Sequence, residues 1–391
     1  NSTLKGEHAF LEGGALRLNW SAVLSKAYSE TQDNAEIFIL GNHVQTSGAA
    51  IRRWEHNSDK DKAGYLDLMY KLKLDGGSVF DFSVGGMYRD KKRDSFFNEY
   101  TFNSATGVKD PQYQGEDWNN YDEILFTPLK YGNISDPLNY DATEKIGAGY
   151  GMVKYTYRKW EFIAGVRVEH TNQGYTLKFP TENTDSEGNQ KYTDVLPSFH
   201  AKYGVHKNAN LRFSYARSIN RPSFFEIVPY SIINEDYKEK GNPDLKHTVA
   251  DNLDLRYEFF PKSSEQFMVG MFYKRLKNPI EYGLLNEGQD TYYKPMNFGN
   301  ATNLGVEVDV MKYFNWFGIK ANYTYTHSSI TTEKRIMDGN DVKTCTQTRP
   351  LFGQAAHVAN LSLLFKSTKY GWEGQIAGSY TGKRLSDISN W

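Results

Sequence analysis

Between Tyr65 and Arg89 the chain keeps a strict period of two. Leu66, Leu68, Tyr70, Leu72 and Leu74 alternate with Asp67, Met69, Lys71 and Lys73. After Asp75-Gly76-Gly77 the rhythm resumes with Phe80, Phe82, Val84, Gly86 and Tyr88, set against Asp81, Ser83, Gly85 and Arg89. Successive strand side chains point to opposite faces, so each run is a strand with one apolar and one polar face. A turn-forming triplet between two such runs makes an antiparallel hairpin. What the chain folds into then depends on what covers the apolar face.

The same plan recurs. Leu16, Leu18, Trp20, Ala22 and Leu24 form an early strand, with His8 to Leu11 ending its partner, and the segment from Ser29 to Asp61 is polar and reads as irregular. Further hairpins turn at Arg158-Lys159, between His206 and Asn210, at Pro261 to Ser264, near Tyr313 to Asn315, and at Ser367 to Lys369. These give about thirteen or fourteen strands. Turns within hairpins are a few residues long. The connections between hairpins are long: more than fifty residues after Arg89, then roughly 171–196, 220–248, 278–303 and 327–355. Successive antiparallel strands put every short turn at one end of the sheet and every long loop at the other.

A soluble sandwich also alternates, with its apolar face inward. Three features favour lipid. Many runs reach nine or more residues, about the height of a membrane barrel's apolar band once the strands tilt by ~45°. Aromatics collect beside the short turns (Tyr155, Tyr157, Trp160; Phe259, Phe260; Tyr313, Phe314, Trp316, Phe317; Tyr370, Trp372), with Tyr88, Tyr215, Tyr273, Tyr325 and Tyr380 at the opposite strand ends. Two such levels match interfacial girdles. The asymmetry of short turns and long loops is the third feature. The fold class expected is therefore all-β, an antiparallel transmembrane β-barrel with short periplasmic turns and long extracellular loops.

Composition narrows the function classes. Lys plus Arg (46) balances Asp plus Glu (47), so no overall basic field argues for nucleic acid. The single cysteine, Cys345, leaves no disulfide or cysteine-based zinc site to build. The nine histidines have no ligand spacing, and no nucleophile elbow, P-loop, zinc-protease or dinucleotide motif occurs. Neither an enzyme nor a cofactor is expected. No stretch of ~18 apolar residues marks a membrane helix, and the mean hydropathy of −0.66 suits a barrel, in which only alternate residues face lipid.

From Leu196-Pro197-Ser198 onward the chain resembles the barrel domain of TonB-dependent outer-membrane receptors, in particular the Bacteroidetes type. The strings that carry this are Gly165-Val166-Arg167-Val168-Glu169, the run from Phe213 to Phe224 that includes Arg221-Pro222-Ser223, and Gly241-Asn242-Pro243-Asp244-Leu245. Asn297-Phe298-Gly299-Asn300-Ala301 leading into Gly305-Val306-Glu307-Val308, and Tyr380-Thr381-Gly382-Lys383-Arg384, complete them. Their order is more specific than any one of them. The resemblance implies a bacterial outer-membrane location, a 22-stranded barrel, an N-terminal plug and energisation by the TonB complex, with a surface lipoprotein as a possible further partner. Residues 1–391 then read as one barrel-domain fragment lacking the plug, the first strands and the last ones.

That reading implies import of a scarce or large nutrient: a siderophore, vitamin, glycan or peptide. Two alternatives stay open, a scaffold barrel for surface-protein assembly or secretion and a soluble β-rich carbohydrate-binding protein. Ligand-platform candidates are the loop aromatics Trp118, Tyr121, Tyr131, Tyr140, Tyr230, Tyr237, Tyr282, Tyr292 and Tyr293, because rings stack on sugars, catecholates or peptides at low entropic cost; packing of the loops on themselves or on a partner is the equal alternative. Arg221, held by Pro222 near the top of its strand, joins them. The lumen-facing charges Lys71, Asp81, Arg167, Glu169, Arg256 and Glu307 are candidates for gripping a plug, against a plainer role in cross-strand ion pairs.

Overall fold

The computed structural model describes residues 1–40, 43–44, 47–104, 126–130, 136–180, 185–233, 238–287, 290–338, 341–367 and 369–389. Its largest unit is a 16-stranded sheet built on one meandering path. The path runs through β1 (Ser2–Phe10), β2 (Leu16–Ile37), β3 (Ala50–Lys73), β4 (Val79–Ser104), β5 (Tyr140–Tyr157), β6 (Trp160–Leu177) and β7 (Glu187–His206). It continues through β8 (Ala209–Asn220), β9 (Thr248–Phe259), β10 (Gln266–Lys277), β11 (Asn300–Phe314), β12 (Phe317–Asp338), β13 (His357–Ser367) and β14 (Trp372–Thr381). Each pairs antiparallel with the next; Phe126–Lys130 adds to β4 and Asp341–Arg349 to β12 off this path.

Short turns close one end. Gly76 and Gly77, both at φ +85°, make the turn between β3 and β4, a backbone state that costs glycine little. Arg158 and Asn315 take the same left-handed region in the two-residue turns after β5 and β11. Every long connection emerges at the other end, as the alternation of strand direction requires.

Residues directly opposite on neighbouring strands share a face, so the register sorts the side chains. Leu18, Leu68, Val84, Gly151 and Val166 form one continuous row on the outer face. Leu211, Tyr257, Val269, Val308 and Tyr323 form another. Val84 and Met271 are each 54% exposed and Ile376 is 66% exposed. A patch of this extent left open to water would drive aggregation, and lipid is the environment that covers it. Beside the short turns the outward rings pack on one another, Phe80 on Tyr155 at 4.6 Å and Trp160 on Tyr203 at 4.4 Å. From Phe80 to Tyr88 the strand rises about 26 Å, close to the apolar height of an outer-membrane barrel before tilt.

The strands overrun this band. The segment from Ser29 to Asp61 is mostly regular, because β2 continues to Ile37 and β3 begins at Ala50. Likewise β4 extends to Ser104, β6 and β7 occupy much of 171–196, and 278–303 and 327–355 contain strands. Above the band the outer face leaves the hydrocarbon, so apolar alternation stops while pairing continues. Its replacement is charge. On the inner face Arg93 binds Asp59 through two hydrogen bonds of 2.7 and 2.9 Å, Lys91 lies 3.2 Å from Asp59, and Arg89 binds Asp61 at 3.0 Å. Burial by itself raises the Asp59 carboxyl, but Arg93 and Lys91 outweigh it and hold the group below the usual carboxylate range.

Candidate functional site at the loop end

The connection between β8 and β9 folds back onto the inner face instead of standing clear of it. Ser223 starts a one-turn helix, α1 (Phe224–Ile227), through a capping box: the Glu226 amide donates to Ser223 Oγ at 3.3 Å, and the Ser223 amide donates to Glu226 Oε2 at 2.6 Å. Phe224, Ile227, Val228, Tyr230 and Leu245 then bury against Phe97, Tyr140, Ala142, Tyr175 and Leu177 of β4, β5 and β6. Lys91 and Arg93 lie over the Phe224 ring at 5.3 and 5.6 Å, tying this cluster to the charge ladder below it.

Polar pins fix the returning chain. Gln173 Nε2 donates to the Pro222 carbonyl at 2.7 Å, and Gln190 Nε2 donates to those of Pro243 and Leu245 at 3.1 and 2.7 Å. Tyr192 stacks on His247 with centroids 3.9 Å apart, while His247 Nε2 meets Asp194 Oδ1 at 3.0 Å. Gly241 is required here, because a Cβ on it would fall 1.8 Å from the Val228 carbonyl oxygen.

Three long connections meet at this end. Ser231–Ile233, Lys238–Lys240, Asp290–Asn297 and Ile280–Glu287 form a second sheet in that order, joining the β8–β9 and β10–β11 connections. Asn242 Nδ2 donates to the Pro295 carbonyl at 2.9 Å. The third connection enters through Arg349, whose Nη2 donates to the buried Glu281 carboxylate at 2.9 Å, and through the Phe352 amide, which donates to the same carboxylate at 2.6 Å. Leu284 donates its amide to the Ile388 carbonyl at 2.6 Å, adding the segment after β14.

The expected site residues divide among these parts. Tyr140 and Tyr230 are 1% and 0% exposed, so they hold the cap together and present no open ring face. Tyr230 donates to Glu239 at 2.6 Å; burial first, and then that carboxylate, raise its phenol far above the ordinary value. Arg221 ion-pairs with Glu169 and donates to Thr171 Oγ1 at 3.0 Å, placing it as an anchor of the loop base. Tyr292 and Tyr293 are half-buried: Tyr293 stacks on Tyr282 at 5.2 Å and Lys240 Nζ sits 4.7 Å from the Tyr292 centroid. Trp118, Tyr121, Tyr131 and Tyr237 lie outside the described residues.

The lumen-facing charges pair with one another: Lys71 with Asp81 at 3.7 Å and Arg256 with Glu307 at 3.8 Å across strands, and Arg167 with Glu169 at 2.6 Å two residues along β6. Beside Arg256 a recess of about 450 Å³ is lined by Glu161, His200, Lys202, Arg212 and Asp254. No group of three or more metal-ligating side chains occurs among the described residues. The Asp59–Arg93 ladder and the Glu281–Arg349 pair carry no local sequence signal, since their partners lie in separate strands. The Ser223-x-x-Glu226 spacing is the local signal that points to the start of the returning loop's helix.

A lipid-facing wall, an inward-turned cap and a charged lumen together describe an outer-membrane barrel, and the chain matches the outer membrane protein beta-barrel family over residues 16–389. It belongs to that family. Its place is the bacterial outer membrane, and a soluble carbohydrate-binding protein is overturned by this membership and by the open apolar face. Among solved structures it is similar to the siderophore receptor PiuA from Acinetobacter baumannii, with 14% identity, a TM-score of 0.63, and coverage of 97% of this chain and 54% of that one. The copper transporter OprC gives 13%, 0.61, 98% and 52%, and the RagAB peptide transporter 13%, 0.55, 97% and 47%. At such identities the likeness shows the fold. The chain spans about half the length of these structures. No curated protein matches it.

Proposed function

We propose that this chain is barrel wall and loop cap of a TonB-dependent receptor of the Bacteroidetes type, importing a scarce or large nutrient. The observation that carries the reading is the cap: three long connections converge over the inner face and leave half-buried rings and a cation together at the loop end. Tyr282, Tyr292 and Tyr293 with Lys240 are the proposed capture surface. Stacked rings suit flat or ring-bearing cargo, and the ammonium suits an anionic group on it. The printed names of PiuA, OprC and RagAB give a siderophore, copper and peptide, so likeness alone favours no cargo.

A plug domain, the TonB complex and a surface lipoprotein are the proposed partners. The lumen charges, above all Lys71, Asp81, Arg167, Glu169, Arg256 and Glu307, supply polar contacts for the plug.

The test is deletion of the gene in its own bacterium, followed by uptake of ferric siderophores, cobalamin, glycans and peptides with and without working TonB. Loss of one TonB-dependent uptake is the expected result. Unchanged uptake of all four classes, with a surface protein co-purifying in stoichiometric amount, replaces this reading with that of an assembly scaffold.

A further inference from the structure

Above the lipid band the two faces of the sheet treat charge differently. In Asp59-Lys60-Asp61-Lys62 the aspartates point inward and the lysines outward. The inner carboxylates meet Arg93, Lys91 and Arg89 at ion-pair distance. On the outer face Lys26 lies directly opposite Lys60, and Lys60 directly opposite Lys92, placing three like charges in one row across β2, β3 and β4. The row below it reads Leu24, Lys62, Asp90 and Lys145. Lys26, Lys60, Lys62, Lys92 and Lys145 are all exposed, and among the described residues none has a carboxylate within ion-pair distance.

The carboxylates facing this patch do not neutralise it. Asp94 sits above the lysine row and is taken by Lys178 at 2.9 Å, with Asp141 beside it. Among the described residues, Asp90 is the one acid between the lysines in these two rows. Directly opposed like charges destabilise a strand pair, so a row of three without counter-charge is a cost unless an anion is supplied from outside. The height of the rows says where that anion lies. Gly64 and Tyr88 mark the top of the apolar face, and Lys62 and Lys60 lie two and four residues beyond them. With a strand tilt of ~40° that is about 5 and 10 Å above the hydrocarbon, at headgroup level on the loop side.

We infer that this outward lysine patch binds the phosphate groups of phosphorylated glycolipids in the outer leaflet. Clustered phosphates on one headgroup match clustered ammonium groups spaced by one strand separation, and each ammonium at a charged membrane surface adds to the attraction. The inference rests on the outer-membrane location and not on import.

The experiment uses the protein extracted from its native outer membrane, lipid-exchanged into nanodiscs, with bis-phosphorylated lipid A as the probe. Dephosphorylated lipid A and inorganic phosphate are the comparison ligands. The variant carrying Lys26→Gln, Lys60→Gln and Lys92→Gln is expected to hold bis-phosphorylated lipid A roughly 100-fold more weakly than the parent. The arginine triple variant at the same positions is expected to retain it, and heat-resistant electrophoretic mobility checks that each barrel is folded. Equal binding by the glutamine variant overturns the inference, as does equal affinity for the dephosphorylated lipid. Competition by inorganic phosphate at the lipid's own concentration assigns the patch to free anions and overturns the glycolipid occupant. Uptake assays on the same variants report on import separately.

Discussion

The hairpin of β3 and β4 contains two regions built on one backbone register and opposite chemistry. Below Gly64 and Tyr88 it alternates apolar with polar side chains, as in Leu66, Leu68 and Tyr70 against Asp67 and Lys71; above them it alternates charge, as in Asp59 and Asp61 against Lys60 and Lys62. The lower part needs an apolar medium outside and carries sparse, half-open ion pairs such as Lys71–Asp81 within. The upper part stands clear of the hydrocarbon, and its inner face is stitched by Arg89, Arg93 and their aspartates beneath the loop cap. Pairing persists through both because the backbone ladder is indifferent to what the side chains meet. Stability in the band should therefore answer to polarity on the outer face, and stability in the tier to charge and packing on the inner one.

The largest break in that contrast is expected in the cap. Glu281→Ala removes the acceptor of Arg349 and of the Phe352 amide and leaves a buried guanidinium uncompensated, at a cost of about 3–5 kcal/mol. Hydrogen exchange should show it as opening of the Ile280–Glu287 and Asp290–Asn297 hairpin, with the band unchanged. Protection equal to the parent would show that the cap does not depend on this pair.

Next is the outer face of the band. Val84→Arg should cost roughly 2–4 kcal/mol in the urea unfolding of the vesicle-inserted protein, whereas Ser58→Arg, outward in the tier, should stay within about 0.5 kcal/mol. Equal effects at the two heights would remove the boundary drawn at Gly64 and Tyr88.

The inner ladder follows. Arg93→Ala strips Asp59 of its bidentate partner at a cost of about 1–3 kcal/mol. Because the folded Asp59 carboxyl lies below its unfolded value, its contribution is complete above the unfolded pKa and is lost as pH falls through the folded one. Unfolding midpoints measured from pH 7 down to pH 3 should decline less for Asp59→Asn than for the parent. An identical decline would place the acid sensitivity elsewhere.

The smallest effect is expected at the loop base. Ser223→Ala removes the acceptor for the Glu226 amide and should cost about 1 kcal/mol, seen as faster exchange across 224–228. Tyr293→Ala tests the capture surface instead, and should weaken uptake without altering that exchange.

Residue order alone determined the strands that cross lipid, their faces and the sidedness of their connections. It could do so because lipid contact imposes a period of two that any aligned strand must repeat. Above the band that constraint lapses, and 29–61 carries no strand pattern although β2 and β3 cross most of it. Asp59 finds Arg93, and Glu281 finds Arg349, only once the register and loop return are set, since cross-strand partners are chosen by spatial pairing over separations no local pattern encodes. For the same reason nothing in residue order separates one loop aromatic from another. Folding sank Tyr140 and Tyr230 into the cap and left Tyr282, Tyr292 and Tyr293 half-open, because burial there is decided by which loop lies over which strand.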